Sequence, residues 1–387
     1  MGVELWTGQQ KTSPLVNVFV GEGNEGPVMA SEPGRNVLRL LRYAILLVAV
    51  LLTGSMYYTP SFRCLTQQLE PVHQEPLHVV VLVWLWPFNT TFKLDICKSQ
   101  FNIEGCLLTA DRTLYGKADA VLIHHRDIVW DLSNLPKSPR PPHQKWIWMN
   151  SESPSNTAQI PSLDGLFNVS LSYRKDADIS MPYGWVVPLE KELKHFVPPE
   201  KNKIVCWIVS NYKPEHRRVY YFRELQKYIR VHVYGDYFDR HLSVEEYKEI
   251  IASCKFYLSF ENSVDKDYVT EKLFNALALG AVPIAFGPSR ENYERLVPSD
   301  AFIHVEDFPS VRALAKYLYL LHENEALYHR YFRWRKHFEA KTSSFPVEHA
   351  CHSCEYIRRN KGYQVLRNLY QWFWDGSKGH DMPLFFY

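Results

Sequence analysis

Short apolar runs recur along the chain from residue 77 onward, separated by polar or amphipathic stretches. The clearest run, 77–86 (LHVVVLVWLW), is continuously apolar, which is typical of a strand that is buried on both faces. Further strands are predicted at 118–124, 147–149, 204–210, 229–235, 256–260, 282–286 and 302–305. Helices are predicted at 220–228 and 272–279, the latter closed by Gly280. Strands that alternate with helices predict parallel sheets built from βαβ units.

The length of this pattern predicts two domains. About 300 residues exceed a single domain, for which about 100–200 residues is usual. We expect two doubly wound α/β domains, 77–183 and 184–335, divided near the proline-containing connector at 182–197. The aromatic- and arginine-rich remainder, 336–387, is expected to pack back on the first domain.

One segment near the N-terminus has a different character. Residues 43–58 (YAILLVAVLLTGSMYY) carry no charge, and three arginines precede them: Arg35, Arg39 and Arg42. The run is short against the roughly 20 residues that a bilayer requires, but a flanking arginine can snorkel. The basic flank places the N-terminus in the cytoplasm. A cytoplasmic tail (1–36), a transmembrane helix (37–58) and a stem (59–76) are therefore predicted, with a buried core helix as the alternative.

The cysteines indicate an oxidising compartment. Cys64 lies close to the apolar segment, and an even set lies downstream: Cys97, Cys106, Cys206, Cys254, Cys351 and Cys354. Six such cysteines predict three disulfides and leave Cys64 unpaired. The alternative is half a zinc site or a redox motif at Cys351-His352-Ser353-Cys354, with His349 nearby, but no second close cysteine pair completes a zinc site. Asn89 and Asn168 each begin a glycosylation triplet, in agreement with a lumenal body.

Composition narrows the classes of partner. Lys and Arg number 44 against 42 Asp and Glu, so a net charge of +2 does not favour a nucleic-acid partner. Aromatic residues make up 14%, a supply suited to rigid cores and to stacking on sugar rings. The chain has no Walker-type or G-x-G-x-x-G loop, so the main motif that would indicate a P-loop NTPase or a dehydrogenase is missing from the sequence.

The stretch 260–272 (FENSVDKDYVTEK) follows a predicted strand and leads into a helix. Ligands of open parallel sheets bind beyond the carboxyl ends of strands, commonly against a helix N-terminus. Lys272 can pair there with a phosphate, and Arg217 or Arg218, after the turn at Ser210-Asn211, can supply a second cation. The alternative is that Lys272 is an ordinary exposed helix residue.

Acidic and imidazole side chains follow other predicted strands. Glu152 comes after the strand WIWMN, among aromatic residues, which suits a general base. His124 and His125 end another strand and are expected to position groups at the cleft. Two D-x-D triplets, Asp176-Ala177-Asp178 and Asp265-Lys266-Asp267, can bind a divalent metal. Chance occurrence is the alternative, with Asp267 as a helix N-cap.

Several blocks of the chain together resemble a known family. FYLSFENS, KDYVTEKLFNALALGAVPIAFGPSRENYE, HHRDIVW, WIWMNSESP and VCWIVSN are similar to the animal α-1,3-fucosyltransferases of glycosyltransferase family ten, especially its Lewis x-forming members. The resemblance covers about residues 77–374. It implies a GT-B fold, in which two Rossmann-like domains face a cleft. It also implies that one transmembrane helix precedes them and anchors the protein in the Golgi membrane in type II orientation.

The resemblance also implies a reaction. L-Fucose would pass from GDP-β-L-fucose, with inversion and without a metal or other cofactor, to the 3-hydroxyl of GlcNAc in Galβ1-4GlcNAc chains of glycoproteins and glycolipids. Glu152 matches the general base, and Arg218 and Lys272 match the cations on the diphosphate. The other donor-site positions are Tyr183, Ile208, Ser210, Asn211, Tyr257, Asn262, Tyr268 and Glu271. The pairing implied for the cysteines is Cys97–Cys351, Cys106–Cys354 and Cys206–Cys254.

The acceptor is less closely defined than the reaction. Acceptor positions implied by the resemblance are Thr90, His124, His125 and Trp130. A tryptophan at Trp130 goes with α-1,3 transfer to Galβ1-4GlcNAc and an arginine with α-1,4 transfer, whereas Thr90 stands where close relatives carry glutamine. Sialylated lactosamine and the N-glycan core therefore stay open as acceptors. A non-catalytic lumenal glycan-binding protein is the alternative class, and a homodimer stays open.

Overall fold

The computed structural model describes residues 34–58 and 78–376. Helix α1 (Gly34–Tyr58) belongs to a separate unit, Met1–His73, and the side chains described in it, 40–52, are all exposed. In the described part of the chain, no helix is both long enough and apolar enough to cross a membrane. The predicted stem and Cys64 lie outside the described residues, as does most of the predicted tail.

The second unit begins with a six-stranded parallel sheet in the order β2-β1-β3-β4-β5-β6. Its elements are β1 (Val79–Leu85), α2 (Cys97–Phe101), β2 (Cys106–Thr109), β3 (Ala120–His124), β4 (Lys145–Asn150), β5 (Val169–Ser172) and β6 (Ile179–Ser180). The central strands β3 and β4 are buried along their whole length. Both faces of these two strands are covered, so their sequences are largely apolar. This apolar pattern is why the sequence predicts them as strands.

A five-stranded parallel sheet follows in the order β12-β11-β10-β8-β9. Strand β7 (Gly184–Pro188) precedes it, and its own elements are β8 (Lys203–Ile208), α3 (Arg217–Leu225), β9 (Val231–Tyr234), α4 (Val244–Ser253), β10 (Cys254–Phe260), α5 (Glu271–Ala278), β11 (Val282–Phe286), α6 (Arg290–Glu294) and β12 (Ile303–His304). In both sheets the second strand lies beside the first and the third lies on its other side. This doubly wound order creates a switch point where a ligand can bind beyond the strand ends.

The last part of the chain returns to the first sheet. After α7 (Val311–Glu323) and α8 (Glu325–Tyr328), strand β13 (Phe338–Thr342) pairs antiparallel with β7, and α9 (Val347–Arg359) follows. Ala350 and Ile357 of α9 pack on one face of the first sheet, and Phe373 and Trp374 pack on the other. The first sheet therefore owes its two covered faces largely to residues about 200 positions later in the chain.

The three disulfides are those implied by the sequence resemblance: Cys97–Cys351, Cys106–Cys354 and Cys206–Cys254. The first two join the start of the first sheet to α9, and the third joins β8 to the start of β10. The zinc alternative at Cys351 and Cys354 is wrong, because both sulfurs are held in disulfide bonds.

Loss of one of the two bridges to α9 should cost much less than loss of both. Each closes a long loop, with sequence separations of 254 and 248 residues. While Cys106–Cys354 remains, Cys97–Cys351 closes only a small ring. Replacing Cys97 and Cys351 by serine should therefore lower the free energy of unfolding by about 3 kcal/mol, and replacing all four cysteines by about 8 kcal/mol.

Urea unfolding under non-reducing conditions measures both losses. A comparison variant lacking only Cys206–Cys254, with a separation of 48 residues, should lose about 4 kcal/mol. Equal losses for the one-bridge and two-bridge variants at α9 would contradict this account.

Candidate functional site

A cavity of about 350 Å³ lies where the carboxyl ends of the two sheets meet. From the first sheet it is lined by residues that follow β3 and β4, including His125, Trp130 and Glu152. From the second sheet it is lined by Asn211, which follows β8, and by Asn262, which follows β10. The cavity thus lies beyond the strand ends, where a doubly wound fold binds its ligands.

Glu152 is held in this cavity from both sides. Its backbone N–H donates to Asn150 Oδ1 at 3.2 Å, and Asn150 Nδ2 donates to Thr157 Oγ1 at 3.1 Å. Its carboxylate oxygen Oε2 accepts a hydrogen bond from the Tyr268 hydroxyl at 3.3 Å. Because Tyr268 comes from the loop after β10, a side chain of the second sheet orients the carboxylate of the first.

Three tyrosines form the connection between the two sheets. Tyr268 packs edge-on against Tyr173 and Tyr183, with ring centroids 5.1 and 6.2 Å apart. The Tyr183 hydroxyl donates to the backbone carbonyl of Ser151, one residue before Glu152. Burial raises the pKa of Tyr183 and of Tyr268 well above the ordinary value, so both phenols stay protonated donors.

Lys272 lies in the first turn of α5, behind Tyr268. Its Nζ donates to Thr270 Oγ1 at 2.7 Å and contacts carboxylate oxygens of Glu271 and Glu261 at 3.0 and 3.2 Å. Burial lowers the pKa of Lys272, but the two carboxylates raise it by more, and the result lies above its ordinary value. The ammonium is therefore charged at any physiological pH, and 20% of the side chain is open to a ligand.

Arg218 supplies a second cation near the ends of β8 and β10. One terminal nitrogen, Nη1, donates to the Phe260 carbonyl at 3.2 Å, and Nη2 donates to the Asn211 carbonyl. The side chain is buried, and its Nε has no hydrogen-bond partner among the described residues. Of the two arginines that the sequence indicated, Arg218 bonds to the chain at the carboxyl ends of these strands.

The remaining predicted donor positions surround this pair of cations. Ile208 ends β8, and the exposed Ser210 and Asn211 follow it. Tyr257 lies in β10, fully buried, with its pKa raised by burial. The Oδ1 atom of Asn262 is buried and has no hydrogen-bond partner in the described part of the chain. An unsatisfied buried acceptor beside a cavity marks a place where a ligand donor fits.

The predicted acceptor residues divide into two groups. His125 and Trp130 line the cavity, and the Trp130 side chain is 64% exposed. His124 and Thr90 do not line it. His124 is buried and its Nδ1 pairs with Asp127, which also accepts the backbone N–H of Phe88. His124 therefore holds the turn at Pro87–Asn89 in place and does not face the cavity.

His125 is a neutral, fully bonded ring. Its Nδ1 accepts a hydrogen bond from Trp148 Nε1 at 3.0 Å, so Nε2 carries the proton and donates to the Ala158 carbonyl at 2.9 Å. Burial lowers the pKa of His125 to about 4. The ring consequently shapes the cavity wall and has no free nitrogen for proton transfer.

The two predicted glycosylation sites differ in their surroundings. Asn89 is exposed. Asn168 is buried: its Oδ1 accepts from the Trp146 N–H at 2.7 Å, and its Nδ2 donates to the Gln364 carbonyl at 2.8 Å. A glycan on Nδ2 would break the packing of the C-terminal segment, so Asn168 is not retained as a glycosylation site.

The carboxylates of the two D-x-D triplets each bind a different partner. Asp176 pairs with Arg174, Asp178 accepts from Ser170, Asp265 accepts from Ser155, and Asp267 accepts from Asn292. Among the described residues, no three His, Cys, Asp or Glu side chains are grouped so that they could hold a metal. The expectation that Asp267 caps a helix is wrong, because Thr270 is the N-cap of α5.

Comparisons with known proteins agree with this geometry. The family model described as "Fucosyltransferase, N-terminal" matches residues 77–184, and the model "Glycosyltransferase family 10 (fucosyltransferase) C-term" matches residues 198–372. Proteins named 4-galactosyl-N-acetylglucosaminide 3-alpha-L-fucosyltransferase 9, from mouse and from human, are 52% identical over 295 residues, covering 76% of this chain and 82% of each relative.

A solved structure shows the same fold. The structure titled "Crystal Structure of alpha1,3-Fucosyltransferase with GDP-fucose" matches with a TM-score of 0.50 at 18% identity, over 75% of this chain and 92% of that one. The α/β class with parallel sheets in a GT-B-like arrangement is thereby confirmed. The fold and the family models define a glycosyltransferase. The chain belongs to glycosyltransferase family 10, the fucosyltransferases.

The sequence pattern did not predict two residues that hold the side chains of the site in place. Asn150 orients Glu152, and Glu261 contacts Lys272 from a fully buried position. Their only signal in the sequence is that each follows or ends a buried strand, in the same stretch as a residue that was selected. A carboxylate or amide at the end of a buried parallel strand is therefore a signal that the residue belongs to a site.

Three buried neutral histidines should make the protein less stable in mild acid. Burial lowers the pKa of His125 and His304 to about 4 and that of His349 to about 3. In the unfolded chain each titrates near pH 6.5. As pH falls from about 6.5 to 4, the unfolded state therefore binds protons that the folded state does not. Each histidine then lowers the free energy of unfolding by up to about 1.4 kcal/mol per pH unit.

Urea unfolding at about pH 7, 5.5 and 4.5 tests this expectation, since the slope reports the proton difference. His349→Gln should reduce the slope, whereas the exposed His143→Gln should leave it unchanged. A slope that is the same in all three proteins would show that His349 does not titrate as proposed.

Proposed function

We propose that this protein transfers L-fucose from GDP-β-L-fucose to the 3-hydroxyl of GlcNAc in Galβ1-4GlcNAc chains of glycoproteins and glycolipids, forming Lewis x-type structures. Family membership supports the transfer of fucose, and the names of the mouse and human relatives support the acceptor. The observation that carries the proposal is the bond between Tyr268 and Glu152, which joins a carboxylate that follows β4 to the loop that leads from β10 to α5 and Lys272.

The geometry suits a single displacement with inversion. The acceptor hydroxyl must lose its proton as it attacks the anomeric carbon, and Glu152, which lines the cavity, can accept that proton. Tyr268 fixes one carboxylate oxygen, so the other is available to the acceptor hydroxyl. GDP would leave from the opposite face of the sugar, toward the second sheet.

Negative charge develops on the GDP that leaves. Arg218 and Lys272 lie at the carboxyl ends of the second sheet, and both can stabilise this charge from fixed positions. The carboxylate of Glu271 is held by Lys272 at 3.0 Å and can favour the positive charge that develops on the anomeric carbon. We propose that these side chains carry out the reaction without a divalent cation, since the D-x-D carboxylates are engaged with protein partners.

The acceptor sugar would occupy the cavity next to Trp130. An indole with 64% of its surface exposed at a cavity rim can stack on the apolar face of galactose or GlcNAc. The neutral His125 ring forms part of the same wall.

We further propose a Golgi location, with the body of the chain in the lumen and the apolar stretch of α1 held at the membrane. The described side chains of α1 include an uninterrupted apolar stretch from Tyr43 to Leu52, all exposed. Three disulfides and the exposed triplet at Asn89 support a lumenal body.

Replacing the base should abolish transfer. Fucose transfer from GDP-fucose to N-acetyllactosamine is measured with the body of the chain, 60–387, secreted from cells, in the presence of EDTA. The unaltered protein should remain active, and Glu152→Gln should lower kcat by about 100-fold or more, because general base catalysis contributes that much.

The matched control is Glu348→Gln, which removes a carboxylate that binds the Ser344 N–H at 2.7 Å, outside the residues lining the cleft cavity. Activity that disappears with EDTA would overturn the metal-free mechanism. Folded protein that binds GDP but transfers to no lactosamine, sialylated lactosamine or N-glycan core acceptor would favour the glycan-binding class.

Removing the exposed indole should affect the acceptor alone. Trp130→Ala should raise the KM for N-acetyllactosamine about 10-fold, since sugar stacking on an aromatic ring contributes about 1 kcal/mol or more. The affinity for GDP, measured by calorimetry, should be unchanged. A change in the affinity for GDP with no change in the KM for the acceptor would place Trp130 outside the acceptor site.

A further inference from the structure

Glu261 is an acidic side chain with no exposed surface, and burial raises its pKa above the ordinary value. It directly follows β10, and its backbone N–H donates to the Phe286 carbonyl of β11 at 2.8 Å, which extends the parallel pairing by one residue. Burying an ionised carboxylate is costly unless partners compensate it. The partners that Glu261 contacts therefore indicate why a carboxylate is placed there.

Those partners belong to the start of α5. One carboxylate oxygen accepts the Thr270 N–H at 2.8 Å, the other accepts the Thr270 hydroxyl at 2.8 Å, and the second also lies 3.2 Å from Lys272 Nζ. Thr270 is the N-cap of α5 but makes no cap hydrogen bond with its own side chain. Glu261 thus supplies negative charge at this helix N-terminus, where the helix dipole favours it.

A glycine makes room for this arrangement. A β-carbon on Gly287 would lie 3.0 Å from Glu261 Cγ and 2.5 Å from the Tyr293 hydroxyl. Any larger residue would therefore push Glu261 or Tyr293 aside. The close approach of Gly287 to Glu261 keeps the carboxylate directed at Thr270 and Lys272.

Two opposing effects meet at Glu261. Burial lowers the pKa of Arg218 and acts in the same direction on Lys272, and the charge of Glu261 opposes burial at both cations; the pKa of Lys272 ends above its ordinary value and that of Arg218 below it. The same charge repels a diphosphate that binds to those cations. Which effect is larger decides whether Glu261 helps or opposes donor binding, and the direct contacts to the first turn of α5 favour the first.

We propose that Glu261 is a positioning residue of the donor site, which fixes the first turn of α5 and thereby aims Lys272 at the diphosphate of GDP-fucose. The inference rests on the proposed function, because it takes the donor to be a nucleoside diphosphate sugar. Glu261 acts through Thr270 and Lys272 and does not itself touch the donor.

The test compares donor and acceptor constants in variants of this carboxylate. Glu261→Gln should raise the Kd for GDP and the KM for GDP-fucose about 10-fold, since a hydrogen bond to a charged group contributes about that much. The KM for N-acetyllactosamine should change less than about 2-fold. Gly287→Ala, which keeps the charge but crowds both Glu261 and Tyr293, should produce a loss in the same direction for the donor alone.

Asp178→Asn is the matched control. Asp178 also accepts a backbone N–H and a hydroxyl from one residue, Ser170, at 2.8 and 2.7 Å, but it lies at the edge of the first sheet. This variant should have a lower unfolding temperature than the unaltered protein, with no increase in the Kd for GDP or in the KM for GDP-fucose. Thr270→Val, which removes only the hydroxyl, should give a smaller loss for the donor if Glu261→Gln proves too unstable to measure.

Three results would overturn the proposal. Tighter GDP binding by Glu261→Gln would show that the charge opposes the donor. A lower unfolding temperature with unchanged constants for the donor would show a structural role alone. Failure of the unaltered protein to bind GDP would overturn the donor assignment as well. Unaltered protein that binds GDP but does not fucosylate lactosamine would affect only the proposed acceptor, since the Kd for GDP still tests Glu261.

Discussion

The hydrogen bond from the Tyr268 hydroxyl to Glu152 is the contact on which the site depends, because it joins side chains carried by two different sheets. Each sheet alone would provide half of the chemistry: a carboxylate after β4, or a pair of cations near the ends of β8 and β10. Doubly wound topology brings strand ends together within a sheet but does not align one sheet with another. The buried tyrosines contribute to that alignment, together with the hydrogen bonds of Ser155 with Asp265 and of Ser263 with Ser153.

The strands that sequence predicts are those covered on both faces. β3, β4, β10 and β11 are buried throughout and form continuous apolar runs, so hydrophobicity alone locates them. Strands β2, β5, β6, β7 and β13 were not predicted. They are short or partly exposed, and β7 forms a sheet only because β13, about 150 residues later, pairs with it. That pairing depends on tertiary contacts, which a local pattern does not contain.

The candidate site divides in the same way. Sequence pattern placed Glu152, Arg218 and Lys272 after strands, and the family resemblance gave each a role. It could not separate His124, which ends β3, from His125, which begins the turn after it, because packing decides which of the two lines the cavity. Asn168 satisfies its glycosylation triplet, yet Gln364, distant in sequence, occupies its amide. For Asn168, a residue far along the chain decides the outcome.

The ribbon formed by β7 and β13 has a mechanical consequence. The chain leaves the first sheet through β7 and returns to it through β13, and hydrogen bonds pair these two crossings from Gly184 to Pro188. A single connecting strand would allow one sheet to rotate against the other. Two hydrogen-bonded strands resist twisting and bend mainly perpendicular to the plane of the ribbon. The ribbon therefore favours opening and closing of the two sheets over rotation of one against the other.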